Sequence, residues 1–168
     1  MVGPRVALLG KSGSGKSRAG AYLSEKLGVR YIKTGMICRQ IAILLFGNDD
    51  KSSTQQLDDA LTRIDRSIFL RAALRSVKPD EGFVVDALRF ANDLVLAKNL
   101  GCKTIRIVAP NALRHERLAQ RGQAFNPDVD GAHRSENELD HDEIDAEVIN
   151  AGELVAFYAA LDLIVARA

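Results

Sequence analysis

Short apolar runs alternate along the chain with longer stretches whose apolar residues recur at helical spacing. The apolar runs predict strands at residues 4–9, 29–32, 83–86, 104–108 and 144–149. The helical spacing predicts helices at residues 16–27, 34–46, 57–77, 91–100, 110–121 and from 154 onward. Two polar segments without periodicity are predicted to form loops, the second of them a lid; they are residues 48–53 and 122–141.

The regular alternation of strands and helices predicts parallel strands joined by helical crossovers. We therefore expect a three-layer α/β/α fold with a five-stranded parallel sheet, formed by residues 1–168 as a single domain. In such sheets ligands bind beyond the carboxyl ends of the strands. The polar motifs of this chain follow its predicted strands directly, so the same edge is where we expect its chemistry.

The composition fits one globular domain and argues against several classes of protein. Of the 168 residues, 46% are hydrophobic, which is enough for a continuous core. The 23 Lys and Arg residues nearly balance the 22 Asp and Glu residues, so the net charge of +1 would not attract nucleic acid nonspecifically. The longest uncharged run, residues 40–48, is too short to cross a bilayer, and the strand-like start predicts no signal peptide. Cys38 and Cys102 are too few for a disulfide scaffold. We expect a cytoplasmic protein that binds neither nucleic acid nor membrane, and a homodimer stays open.

Residues 10–17, Gly-Lys-Ser-Gly-Ser-Gly-Lys-Ser, match G-x-x-x-x-G-K-[ST] in full between a predicted strand and a predicted helix. The glycines let the backbone curl until several N–H groups point at phosphate oxygens, and the helix start adds partial positive charge. We expect Lys16 to act catalytically on the β and γ phosphates and the Ser17 hydroxyl to ligate Mg²⁺. The residues of this loop expected to bind ATP are Gly10, Ser12, Gly13, Ser14, Gly15, Lys16 and Ser17.

The segment that follows the second predicted strand resembles the nucleoside monophosphate kinases. Adenylate and cytidylate kinases carry T-G-x-x-x-R at this place, and Thr34, Gly35 and Arg39 stand at the matching positions. The resemblance implies that Thr34 and Arg39 bind the acceptor, and that helices within about residues 34–77 form the wall around it. Lys33 stands where the cytidylate family usually has aspartate, so the base of the acceptor is left open.

Residues 82–93 resemble the D-V-R-F-P-N-E segment of phage-type deoxynucleoside monophosphate kinases, the group this chain resembles most. Asp86 ends an apolar strand, where the resemblance implies a catalytic carboxylate that holds Mg²⁺. Arg89 follows three residues later and can fork onto the acceptor phosphate. The chain departs from the pattern by one extra residue before Arg89, by Ala91 for proline and by Asp93 for glutamate. These departures affect the fine geometry more than the roles.

Two later segments resemble the H-x-S-E and D-x-x-I-x-N-x-G signatures of the same phage-type family and of dephospho-coenzyme A kinases. They are residues 133–136 and 145–152. The resemblance implies that Arg134 and Glu136 bind the acceptor and that Asn150 lies where the adenine of ATP rests. Ser135 and Glu138 also fit a helix capping box, so capping and function both stay open for Ser135 and Glu136.

Three arginines lie on one face of the helix that opens the predicted lid, which spans about residues 111–141. Arg114, Arg117 and Arg121 are spaced three and four residues apart. Cations that close over the phosphates stabilise the charge spread over the moving phosphoryl group. Similarity to the R-x-x-x-R of lid helices implies that Arg117 and Arg121 are catalytic and that Arg117 also binds ATP.

These patterns together predict a P-loop kinase fold that uses ATP and Mg²⁺ and converts a nucleoside or deoxynucleoside monophosphate to the diphosphate. Its partners would be small-molecule nucleotides, in the cytoplasm, or in a host cytoplasm if the chain is phage-encoded. Two alternatives stay open. The first is a P-loop kinase of another small acceptor, such as dephospho-coenzyme A, a sugar or a hydroxymethylated base. The second is a regulatory module that binds ATP without catalysis.

Overall fold

The computed structural model describes residues 2–122, 126, 131–132 and 134–166, without the side chains of Arg134 and Ser135. The strands, in chain order, are β1 (Arg5–Leu9), β2 (Arg30–Lys33), β3 (Phe83–Asp86), β4 (Lys103–Val108) and β5 (Ala146–Ile149). The helices, in chain order, are α1 (Lys16–Leu27), α2 (Thr34–Phe46), α3 (Lys51–Thr62), α4 (Ile68–Leu74), α5 (Ala91–Asn99), α6 (Asn111–Gln120), α7 (Arg134–Asn137) and α8 (Leu154–Val165). Among the described residues, no helix has the length and apolar character needed to cross a membrane.

Within the described residues, the five strands form one parallel sheet in the order β2–β3–β1–β4–β5. β1 is the central strand, and its Leu8 lies opposite Asp86 of β3 on one side and Ile105 of β4 on the other. The α/β class and the five-stranded parallel sheet expected from the alternation are thereby confirmed. Because β1 and β3 are neighbours, the loop that leaves β1 starts beside the carboxyl end of β3.

The two faces of the sheet carry separate cores, since successive residues of a strand point to opposite sides. Val6 and Leu8 of β1 pack on one face with side chains of α1 and α8. Ala7 and Leu9 pack on the other face with side chains of α4 and α5. All four are at most 2% exposed, and full burial of an aliphatic side chain contributes about 1.5–3 kcal/mol. The central strand is thus a firm base for the loop that follows it.

Residues 57–77, predicted as one long helix, belong instead to two helices, α3 and α4, with a turn between them. The Asp65 carboxylate accepts a hydrogen bond from the Ser67 backbone N–H at 2.9 Å, and such a turn competes with helical hydrogen bonding. α3 also starts inside the predicted polar loop, because Asp50 caps it by accepting from the Ser53 N–H at 2.8 Å. The sequence predicted one helix because the helical spacing of its apolar residues continues from α3 into α4.

The predicted lid contains α6 and the short α7, while residues 123–125, 127–130 and 133 lie outside the described residues. Glu138 directly follows α7. Its two carboxylate oxygens accept from Arg66 Nη1, each at 3.0 Å, and one of them accepts from the Ala91 N–H at 3.1 Å. The segment after α7 is therefore fastened to the α3–α4 turn and to the start of α5.

Candidate functional site

The loop of residues 10–17 lies between β1 and α1, and other elements pack tightly around it. Gly15 has φ of +105°, and a Cβ at this position would lie 2.2 Å from Asn150 Nδ2. The same Asn150 nitrogen donates to the Ser14 carbonyl at 2.8 Å. Only glycine fits at position 15, both for its conformation and for its space. The end of β5 thus fixes the shape of the phosphate loop.

Lys16 lies partly buried over this loop. Its Nζ donates to the Gly10 carbonyl at 2.6 Å and to the Lys11 carbonyl at 2.9 Å. Burial lowers the pKa of the Lys16 amine, and the negative charges of Asp86 and Glu136 oppose that effect. The ammonium is therefore anchored across the mouth of the loop, where the charges of two carboxylates act on it.

The carboxylate of Asp86 meets the hydroxyl of Ser17 at the carboxyl ends of β3 and β1. Ser17 Oγ donates to Asp86 Oδ2 at 2.9 Å. A hydroxyl and a carboxylate are oxygen donors of the kind that Mg²⁺ prefers. The two side chains predicted to bind the metal are adjacent, so they fit an Mg²⁺ ion that accompanies a bound triphosphate.

Tyr31 is a member of this group that the sequence did not reveal. Its hydroxyl donates to Asp86 Oδ2 at 2.9 Å and lies 3.2 Å from the Ser17 carbonyl. Burial, together with the neighbouring Asp86 charge, raises the pKa of Tyr31 well above its usual range. Its ring packs against Gly20 of α1, where a Cβ would lie 2.4 Å from the ring atom Cε2. Only the pairing of β2 with β3 brings Tyr31 here, and no local motif marks it.

Arg117 of α6 contacts the phosphate loop at its Gly13 and the neighbouring Asn150. Its Nη2 lies 3.2 Å from the Asn150 carbonyl and 3.3 Å from Asn150 Oδ1, and its Nη1 lies 3.4 Å from the Gly13 carbonyl. Burial and the positive charges of Arg121 and Arg18 lower the pKa of Arg117. The structure therefore brings two predicted ATP ligands, Arg117 and Asn150, together at the loop. Arg121 lies exposed just after α6.

Glu136 of α7 faces the phosphate loop. Its carboxylate accepts from the Ser12 N–H at 2.7 Å and from the Ser12 hydroxyl at 2.5 Å. Burial favours a higher pKa, but the Ser12 hydrogen bonds and the charges of Lys16 and Lys51 together lower the pKa of Glu136. Glu136 was predicted on the acceptor side, and its hydrogen bonds link it to the donor loop.

Arg114 of α6, which similarity to lid helices did not single out, stands behind Glu136. Its Nε donates to the Ser12 carbonyl at 2.7 Å, and its Nη2 lies 3.8 Å from the Glu136 carboxylate. Arg114 is only 5% exposed. The two side chains thus hold Ser12 from both sides, one through its carbonyl and the other through its N–H.

The predicted acceptor residues lie along the opposite wall. Thr34, at the start of α2, accepts from the Ala87 N–H at 3.2 Å and lies 3.1 Å from the Ala87 carbonyl, so its hydroxyl ties α2 to the segment after β3. Arg89, in that segment, has its Nη1 3.4 Å from a carboxylate oxygen of Asp58. Arg39 lies exposed on α2, and the side chain of Arg134 lies outside the described part of the chain.

One cleft of about 550 Å³ joins the two walls. Ser12, Lys16 and Glu136 line it on the side of the phosphate loop, and Arg39 and Arg89 line it on the other side. Cations that suit two different phosphate groups therefore face one shared space. This geometry allows an anion held at one wall to approach a phosphate held at the other.

Comparison with known proteins gives a family and a fold. A family model described as an AAA domain matches residues 6–145. The cytidylate kinase of Ureaplasma urealyticum serovar 10 is 36% identical over 110 residues, which are 65% of this chain and 49% of that protein. The chain thus spans about half the length of this curated relative.

Three solved structures have the same architecture over nearly the whole chain. A protein from Thermus thermophilus has 17% identity and a TM-score of 0.63, and the match covers 99% of this chain and 98% of that one. Shikimate kinase from Acinetobacter baumannii in complex with shikimate has 14% identity and a TM-score of 0.64, with 98% of this chain and 94% of that one covered. A gluconokinase from Sinorhizobium meliloti has 17% identity and a TM-score of 0.59, with 99% of this chain and 94% of that one covered. At these identities the likeness shows the fold alone.

Proposed function

The chain belongs to the AAA domain family, and within that family we propose that it is an ATP-dependent kinase of nucleoside or deoxynucleoside monophosphates. The observation that carries the proposal is the shared cleft, in which Lys16 of the phosphate loop faces Arg89 and Arg39 of the other wall. One set of cations suits the triphosphate of ATP, and the other suits a phosphate on the acceptor.

On the donor wall, the N–H groups of residues 10–17 and the Lys16 ammonium would hold the β and γ phosphates. Ser17 and Asp86 would hold Mg²⁺, which when bound would neutralise part of the phosphate charge. Arg117, at the Asn150 end of the loop, would bind ATP from the other side. Arg114 keeps Ser12 of the phosphate loop in place through a hydrogen bond to the Ser12 carbonyl.

On the acceptor wall, the guanidinium groups of Arg89 and Arg39 would hold the acceptor phosphate with one oxygen directed at the donor wall. That oxygen is already anionic near neutral pH, so the transfer needs no general base. Lys16 and the predicted lid residues Arg117 and Arg121 would stabilise the charge on the moving phosphoryl group. A closed cleft would also exclude water, the competing acceptor.

The choice of a nucleoside monophosphate rests on two supports. Gly35 and Arg39 of the T-G-x-x-x-R pattern line the cleft, and Thr34 lines a smaller pocket that shares Arg89 with the cleft. The relative from Ureaplasma is a cytidylate kinase by name and is 36% identical over the matched segment. The kinases of shikimate and gluconate share only the fold, so their acceptors serve as competing outcomes in the test.

The deciding experiment is a coupled assay of ADP release with MgATP and each common ribo- and deoxyribonucleoside monophosphate. Dephospho-coenzyme A, shikimate and gluconate serve as rival acceptors. We expect acceptor-dependent ADP release with at least one monophosphate and none with the rivals. ADP release with one of the rival acceptors and with no monophosphate would show that the acceptor is not a nucleoside monophosphate. ATP binding without release for any acceptor would favour a non-catalytic module.

A further inference from the structure

A buried carboxylate that no sequence motif marks lies on the acceptor wall. Asp58 of α3 is 1% exposed, yet it lines the cleft. Its Oδ1 lies 3.4 Å from Nη1 of Arg89, whose side chain is 38% exposed. The buried anion thus stands behind a cation that faces the cleft.

Asp58 lies beside apolar side chains. α3 packs on α2 through a small apolar cluster that contains Cys38, Ala42 and Leu57. Burying a carboxylate beside such a cluster is costly unless a cation or hydrogen-bond donors compensate it. Arg89 is the cation that the structure gives as its ion-pair partner.

The two arginines of the acceptor wall differ in how they are held. Arg89 has the buried Asp58 as its ion-pair partner, and its backbone N–H donates to Asp93 at 3.0 Å. Arg39 is exposed on α2. Burial raises the pKa of the Cys38 thiol, and the charges of Arg89, Asp58 and Arg39 all act on that pKa as well. The three charged groups therefore lie near one another around Cys38. A guanidinium held by a carboxylate on one side keeps its remaining N–H groups in a fixed direction.

We infer that Asp58 is a positioning residue, which fixes the Arg89 guanidinium so that its free edge receives the phosphate of the acceptor. The inference rests on the proposed function and deepens it, since it assigns acceptor affinity to α3 as well as to the segment after β3. Without Asp58, Arg89 is free to rotate away from the acceptor.

The test compares Asp58→Asn with the matched control Asp59→Asn, which changes the next residue of the same helix, outside the cleft lining. Wild type is titrated by calorimetry with each common nucleoside monophosphate, and the tightest is used for the variants. We expect Asp58→Asn to raise the Kd and the KM for that monophosphate about tenfold. The KM for ATP should stay within about twofold, and Asp59→Asn should match wild type.

Two further variants separate positioning from a purely structural role. Asp58→Glu keeps the charge and should recover part of the acceptor affinity that Asp58→Asn loses. In an Arg89→Lys background, Asp58→Asn should cost much less than it does alone, because the bidentate group it positions is already gone. Melting temperatures are measured for every variant.

The outcomes are distinguishable. An Asp58→Asn protein that melts earlier but binds the monophosphate as wild type does overturns the inference and leaves the proposed function intact. Fully additive effects of Asp58→Asn and Arg89→Lys would overturn the inference in the same way. If Asp58→Asn does not fold, Asp58→Ala, which also removes the carboxylate, carries the test, and an unchanged acceptor KM in that variant overturns the inference. A wild-type protein that binds ATP but no monophosphate overturns both proposals.

Discussion

The two walls of the cleft are built in different ways. The donor wall comes mainly from residues 10–17, one contiguous stretch braced by short hydrogen bonds such as that from Asn150 to Ser14, at 2.8 Å. The acceptor wall combines α2, α3 and the segment after β3, and its main ion pair, between Arg89 and Asp58, is longer at 3.4 Å. One local motif supplies most of the first wall, whereas distant segments that pack together supply the second.

This difference explains why the two substrates are not equally easy to identify. A triphosphate needs main-chain N–H groups and a lysine, which a short glycine-rich motif supplies wherever it follows a strand. An acceptor needs side chains that several helices bring together, and small changes in helix packing change what fits. The donor is therefore recognisable from eight residues, while the acceptor requires an assay.

The largest expected effect is that of Lys16→Ala on the donor wall. Its ammonium spans the mouth of the loop, so its removal takes away the main cation near the moving phosphoryl group. We expect kcat to fall by about 10³-fold or more, with the melting temperature close to that of wild type. ADP release at saturating acceptor measures it. Ordinary turnover in this variant would refute the assignment of the donor wall.

Arg117→Ala tests how sharply the two walls are divided. Arg117 contacts Gly13 and Asn150 on the donor wall, so its loss should raise the KM for ATP about tenfold and leave the KM for the acceptor nearly unchanged. Initial rates at varied ATP and varied acceptor give both constants. Gln120→Ala, an exposed change on the same helix, is the control. A rise in the acceptor KM without a rise in the ATP KM would contradict the assignment of Arg117 to the donor wall.

Tyr31→Phe is expected to have a smaller effect. The change removes one hydrogen bond to the Asp86 carboxylate and leaves the ring in place, so the apparent affinity for Mg²⁺ should fall about threefold to fivefold. The shift in melting temperature by ADP at increasing Mg²⁺ measures this without turnover. Tyr22→Phe removes a comparable hydrogen bond, to Asp162 between α1 and α8, and should not change the Mg²⁺ dependence.

Asp93→Asn should have the smallest effect on turnover and a clear effect on stability. Burial raises the pKa of Asp93 to about 6 from an ordinary 3.8, against the opposing hydrogen bonds from the Arg89 and Phe90 N–H groups. Between pH 4 and 6 the folded protein keeps a proton that the unfolded chain has released, so this group contributes a loss of stability as the pH rises. The loss is at most about 3 kcal/mol and is complete above pH 6.

Urea unfolding of both proteins from pH 4 to pH 7 checks that sign. The free energy of unfolding of Asp93→Asn, relative to wild type, should rise across this range and then level off. A relative stability that is flat with pH would show that Asp93 titrates normally in the folded protein.

The sequence predicted those parts of the structure whose signals are local. The fold class, the phosphate loop and the ends of α1 and α2 follow from periodicity and from the glycines next to these elements. The turn at Asp65 was missed, because one side-chain hydrogen bond ended a helix whose apolar spacing continued beyond it. Tyr31 and Asp58 were missed for a different reason. Each acquires its partner only when strands pair or helices pack, and one sequence does not reveal that pairing.

The contact between Gly20 and Tyr31 extends the reach of the site into the middle of α1. A single added methyl group at position 20 would press on the aromatic ring and move the phenol that braces the Asp86 carboxylate. Residue 20 of α1 thereby influences the proposed Mg²⁺ site through Tyr31. Replacing Gly20 with alanine to stabilise α1, where alanine is ordinarily more favourable than glycine, would therefore be expected to disturb the proposed Mg²⁺ site.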